Sequence, residues 1–141
     1  MPYVKTMFKP EIMDPDFLNK DIIKVSKHFY STLLEQFPSA LNIDWIKNGD
    51  FIEALFYVDS TEYIAKFEPT GELKNYKINL HKEFVPDIVR QAAIQFGEIM
   101  SAISINTGRL KEFEVIIRKL DQSRQLLFID ANGSVIESAD I

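Results

Sequence analysis

LLFIDANGSVIES, residues 126–138, and IAKFEPTGELKNY, residues 64–76, are two versions of one pattern. Each runs from alternating apolar residues into a glycine turn, at Gly133 or Gly71, and out through a polar-flanked strand. Period-two alternation marks half-buried strands, and a turn between two such runs marks a hairpin. The likeness continues outward. QFP at 36–38 and QFG at 95–97 are offset by 59, as are the turn glycines Gly49 and Gly108, while Gly71 and Gly133 are offset by 62. All five glycines fall at expected element boundaries. The chain therefore reads as a tandem of two units, each a helix followed by four strands.

Residues 1–15 carry prolines at 2, 10 and 15 and no periodicity, so they are expected as an extended arm. A helix is expected from Asp16, an N-cap behind Pro15, because Leu18, Ile22, Val25, Phe29, Leu33 and Phe37 recur at helical spacing until Pro38. LNIDWI, FIEALFYV, EYIAKF and ELKNYKI then read as strands, with a type I′ turn at Asn48-Gly49. The order restarts at VPDIVRQAAIQFG, where Val85, Ile88, Val89, Ala92, Ala93 and Phe96 form one stripe. Pro86 suits the first helical position there and Gly97 the C′ position. AISI, FEVIIRKL, QLLFI and SVIES complete the second round.

A unit of this size buries too little surface to stand alone, and two repeats are too few for a solenoid. The expected fold is therefore a single α+β domain over 16–141, made of repeats 16–80 and 81–141. Two helices pack on one face of an antiparallel sheet of about eight strands. The rival arrangement is a pair of minidomains.

Composition narrows the function classes. At 46% hydrophobic, 26% charged and 12% aromatic, the chain is that of an ordinary, aromatic-rich globular domain. The net charge of −5, with sixteen Lys and Arg scattered among acids, argues against nucleic acid as a partner. The absence of cysteine excludes disulfides, thiolate metal sites and thiol nucleophiles. No apolar run reaches the length of a membrane span, and no signal-peptide core opens the sequence. The location expected as written is cytoplasmic, or periplasmic or envelope if a leader was removed.

Phe37-Pro38, the run from Trp45 through Gly49 to Phe51, the exit Phe67-x-x-x-Gly71-x-Leu73, and Val85-Pro86-x-x-Val89-x-x-Ala92 together resemble the PepSY-like or beta-lactamase-inhibitor-like proteins. The resemblance covers residues 17–138 and lies in fold punctuation rather than in an active site. It implies a non-enzymatic domain, often of the bacterial envelope, that binds or inhibits other proteins. The inhibitor itself uses disulfides, and this chain has no cysteine, so beta-lactamase inhibition is not carried over.

The residues offer little chemistry. His28 lies on a helix flank and His81 in a linker, with no metal-ligand spacing around either, so both read as surface residues. Asp130 to Ser134 resembles the front of a calcium loop, but the chain stops before a closing ligand, and a hairpin turn explains it. Asp44, Asp50, Glu53, Glu62 and Glu68 are expected as solvated strand positions. No cofactor is implied and no catalytic residue is assigned.

Strand parity says more. If Ile52, Ala54, Phe56 and Val58 point to the helices, then Phe51, Glu53, Leu55 and Tyr57 point away, joined by Glu62, Ile64 and Lys66 and, in the second repeat, by Glu114, Ile116 and Arg118. Phe51, Leu55, Tyr57, Ile64 and Ile116 are thus candidate anchors of a binding face toward another protein or a second copy. The alternative function is a small-ligand carrier or enzyme with an apolar pocket between helices and sheet.

Overall fold

The computed structural model describes residues 22–141, so the expected arm and the helix start at Asp16 lie outside the described residues. The element order is α1 (Lys27–Gln36), β1 (Leu41–Asn48), β2 (Phe51–Val58), β3 (Thr61–Phe67), β4 (Leu73–Leu80), a 3₁₀ turn (Lys82–Phe84), α2 (Asp87–Ile94), β5 (Glu98–Thr107), β6 (Leu110–Arg118), β7 (Arg124–Asp130) and β8 (Val135–Asp140). The eight strands follow one another in an antiparallel sheet in the order β1 to β8. The α+β class with two helices and eight strands is thus observed. The chain divides into two compact units, one ending at Ile78 and one spanning Asn79–Ile141.

In the first unit the core is Leu33, Phe37, Ala40, Trp45, Ala54, Phe56, Ala65 and Phe67. Ile52, Val58 and Tyr63 pack against it, so β2 and β3 present to α1 the faces their alternation predicts. Phe29 meets Trp45 and Phe67 edge-on at 6.0 and 5.9 Å, an arrangement that the ring quadrupoles favour. In the second unit Val85, Val89 and Ala93 meet Ile99, Ala102, Phe113, Val115, Ile117, Leu127 and Ile129. Here too the helix-side residues of β6, Phe113, Val115 and Ile117, are those the period-two reading selects.

Helix α1 starts later than its stripe suggests. Ile22 forms an antiparallel bridge with Ile46, and the Ile23 N–H donates to the Trp45 carbonyl at 2.8 Å. Ile23 and Val25 pack on the core while Ile22 and Lys24 are exposed. Their spacing is therefore a strand's period of two rather than a helix's 3.6. The free edge of β1 gives this backbone hydrogen-bond partners, and the helix begins only after Ser26, which is extended.

Two turn assignments also change. Asn48 pairs with Phe51, so the β1–β2 loop is Gly49-Asp50, with positive φ at Gly49 alone. That is the pattern of a type II′ turn. The loop with two positive φ values, as type I′ requires, is Asp59-Ser60 between β2 and β3. After α2 the cap is Gln95, and Gly97 is not in the left-handed region. Its reason is space, because a Cβ there would stand 2.5 Å from the Arg118 carbonyl oxygen. Backbone cannot yield as a side chain does. Gly97→Ala is accordingly expected to lower stability by about 2 kcal/mol, read from the urea midpoint.

Candidate functional site

The face of β2 and β3 turned away from α1 is built by cross-strand pairs. Glu53 lies opposite Lys66, Leu55 opposite Ile64, and Tyr57 opposite Glu62. On the outer flanks Ile46 pairs with Glu53 and Asp44 with Leu55, while Ile64 pairs with Lys77 and Lys66 with Asn75. Phe51, Leu55, Tyr57 and Ile64 are therefore brought onto one face, as parity predicts. A register shift between Lys66 and Phe67 marks a bulge that brings Lys74 to this face as well. The ammonium groups of Lys66 and Lys74 stand 5.0 and 4.6 Å from the Phe51 ring centroid, within cation–π range.

The anchors differ in accessibility. Phe51, Leu55 and Tyr57 are half-buried, whereas Ile64 is buried. Ile116 belongs to the second unit, where it faces away from the core residues Val115 and Ile117 between Ser101 and Leu126, and it too is buried. Ile64 and Ile116 thus form floor rather than prominence.

The acids depart from expectation. Asp44 and Asp50 are exposed, but Glu53 is 5% exposed and Glu62 is fully buried, each with one carboxylate oxygen that meets no hydrogen-bond donor. The other Glu62 oxygen accepts from the Tyr57 hydroxyl at 3.3 Å. Desolvation raises the Glu62 pKa from 4.5 to about 7, and the Tyr57 hydrogen bond opposes part of that rise. Glu114 of the second unit is also buried on the face away from its helix. Alternation tells which way a side chain points and not how much its neighbours cover it, so solvated carboxylates were the expectation.

His28 is exposed, and its ring lies where a Cβ on Gly71 would be, 2.3 Å from the nearest ring carbon. It seats the start of α1 on the β3–β4 turn. His81 is exposed beside Phe84. Among the described residues no three His, Asp or Glu converge as a metal site would require. Asp130 spends one carboxylate oxygen on the N–H groups of Asn132 and Ser134, at 2.9 and 3.0 Å, which closes the last hairpin. Among the described residues no helix is long and apolar enough to cross a membrane.

No family model matches the chain, and no curated protein does. Solved structures do match. A BLIP-like protein from Bacteroides fragilis aligns with a TM-score of 0.75 at 17% identity over 84% of this chain and 88% of its own. A candidate periplasmic protein from Bacteroides eggerthii gives 0.74 at 17% identity over 84% and 91%. A DUF2874 family protein from Bacteroides uniformis gives 0.74 at 14% identity over 83% and 90%. At these identities the likeness is one of fold, and the chain has the beta-lactamase-inhibitor-like fold.

Proposed function

We propose that the chain is a non-catalytic protein-binding or inhibitory module that engages its partner through the helix-free face of the first unit. The observation that carries this reading is the file of Phe51, Leu55 and Tyr57 along β2, each half-exposed, over the buried floor of Ile64. Large apolar side chains that keep some exposure within a charged surround, here Lys66, Lys74 and Asp44, are what interface anchors require. Ile116 has the matching role on the helix-free face of the second unit. The BLIP-like neighbour supports a binding role, and the candidate periplasmic neighbour supports an envelope setting.

A pocket between helix and sheet is the competing use of the fold. Leu33 in the first unit, and Val89, Ala93, Val115 and Leu127 in the second, are completely shielded there, so side chains fill that space. Replacing Phe51 and Tyr57 together with Asp is expected to abolish partner retention on the immobilised chain, with the far-ultraviolet dichroism unchanged. Retention equal to that of the native chain defeats the reading. Native mass spectrometry without partner separates a second copy from a different protein as occupant.

A further inference from the structure

The chain enters the first unit along the rim of its helix-free face. Ile22 pairs with Ile46, and Ile46 with Glu53, so all three side chains point away from α1. Because the bridge is antiparallel, the backbone N-terminal to Ile22 opens toward the end of the sheet where Asn48 pairs with Phe51. Residues 1–21 precede this point.

That face carries more cover than its own strands provide. Among the described residues of the first unit the one helix, α1, packs on the opposite side together with Phe37 and Ala40. An antiparallel sheet packed on one face leaves the other to water. Here, however, Ile46 and Ile64 are 6% and 3% exposed and Glu62 is fully buried. Ile46 is the most telling of the three. It stands on β1, the outermost strand, with only the short Ile22–Ile23 addition beyond it. A side chain so near a sheet edge lacks strand neighbours on one side to bury it.

Residues 1–21 have the composition of a segment that packs. Nine of them are Met, Tyr, Val, Phe, Ile or Leu, an apolar content that solvated tails lack. Pro2, Pro10 and Pro15 cannot donate to a strand ladder, which suits the segment to crossing a face rather than extending an edge. Its extended reach is roughly 70 Å, ample for a four-stranded face roughly 15 Å across. Charge fixes its course. Residues 11–21 hold Glu11, Asp14, Asp16 and Asp21 against Lys20 alone. At the end of the face toward which the chain opens, the ammonium groups of Lys66 and Lys74 gather round the Phe51 ring. The acidic stretch nearest the attachment therefore meets a pair of cations first, and the more apolar residues beyond it come over Leu55 and Ile64.

We infer that residues 1–21 fold back as a strap over the helix-free face of the first unit, with their carboxylates set against Lys66 and Lys74. The occupant of the face is thus this chain's own segment, specified by its attachment at Ile22, its reach and its charge. The strap holds the place of a partner. That consequence rests on the binding role proposed above, whereas the docking does not.

The test uses the full chain. With no cysteine elsewhere, Thr6→Cys gives a single site for a nitroxide label. The Leu55 and Ile64 methyl signals are expected to lose most of their intensity to the label, and Leu33, behind the sheet, far less. Asp14→Lys together with Asp16→Lys should restore much of that intensity, and adding Lys66→Glu with Lys74→Glu should bring the loss back. Four outcomes overturn the inference: a loss confined to Ile22 and Ile23, an equal loss at Leu33 and Leu55, a loss that charge reversal leaves unchanged, or a loss that appears in unlabelled chain mixed with labelled chain. The last makes a second copy the occupant. Partner retention separates the two readings, because the Asp14→Lys, Asp16→Lys chain should retain a partner more strongly than the native chain does. If no chain retains a partner while the methyl loss persists, the binding role falls and the strap stands.

Discussion

Truncating Phe56 to alanine is expected to lower the unfolding free energy by about 4 kcal/mol, a large share of the roughly 5–15 kcal/mol that holds a domain folded. Its ring is fully buried in the first unit, 5.0 Å from Phe37 and 5.4 Å from Tyr63. The loss has two parts. The buried ring contributes about 1.5–3 kcal/mol of apolar transfer, and the cavity it leaves adds more because the surroundings relax only partly. Relaxation is poor here, since Ala54 and Ala65 on the adjoining pleats are too small to fill the gap and the neighbouring rings are held by each other. Urea unfolding followed by Trp45 fluorescence reports the same core. Leu120→Ala, at a fully exposed position, is the control and should change stability by less than about 0.5 kcal/mol. A Phe56→Ala loss below about 1 kcal/mol would show that this cluster is not what holds the unit together.

The second large effect depends on pH. Burial raises the Glu62 pKa from 4.5 to about 7, so the folded chain holds this proton more tightly than the unfolded one. Stability from this site is fully present below pH 4.5 and is lost as pH rises through about 7, when the carboxylate must ionise away from water. Glu62→Gln keeps the shape and never ionises. Its stability relative to the native chain is therefore expected to climb between pH 4.5 and 7, and to level off at about 2 kcal/mol in its favour once partial solvent screening is allowed for. Near pH 4 the two chains should be equal within error. Unfolding midpoints at pH 4, 6 and 8 decide the matter, and a difference that stays constant across them would exclude ionisation of Glu62 as the cause.

Glu62 also marks where reading the sequence stops. Its direction was legible, since it lies opposite Tyr57 on the face away from Tyr63, Ala65 and Phe67. Its burial was not, because that depends on how neighbouring side chains close over it. Ile64 and Ile116 follow the same rule, pointing as alternation requires yet lying beneath their neighbours. Half of the candidate face was therefore visible in advance, as an ordered set of directions, and the part that separates anchor from floor was not.

The sequence by itself determined the helix-plus-four-strand order of each unit, the hairpin positions and the core-facing residues of β2, β3 and β6. These follow from local rules: a side chain turns over every residue in a strand, and only a few residue types close tight turns. Tertiary structure decided the rest. Residues 22–25 became an edge addition because β1 offered their backbone hydrogen-bond partners, and an apolar stripe cannot say whether a helix or a sheet edge will satisfy those groups. Gly97 was required by the Arg118 carbonyl rather than by a helix cap. Phe37 and Phe96 follow similar helices, yet one is enclosed and the other bare, because a ring's burial is set by residues that reach it from distant strands. Direction is local and cover is not, and that is why the architecture could be read from the chain while the sites had to be found in the fold.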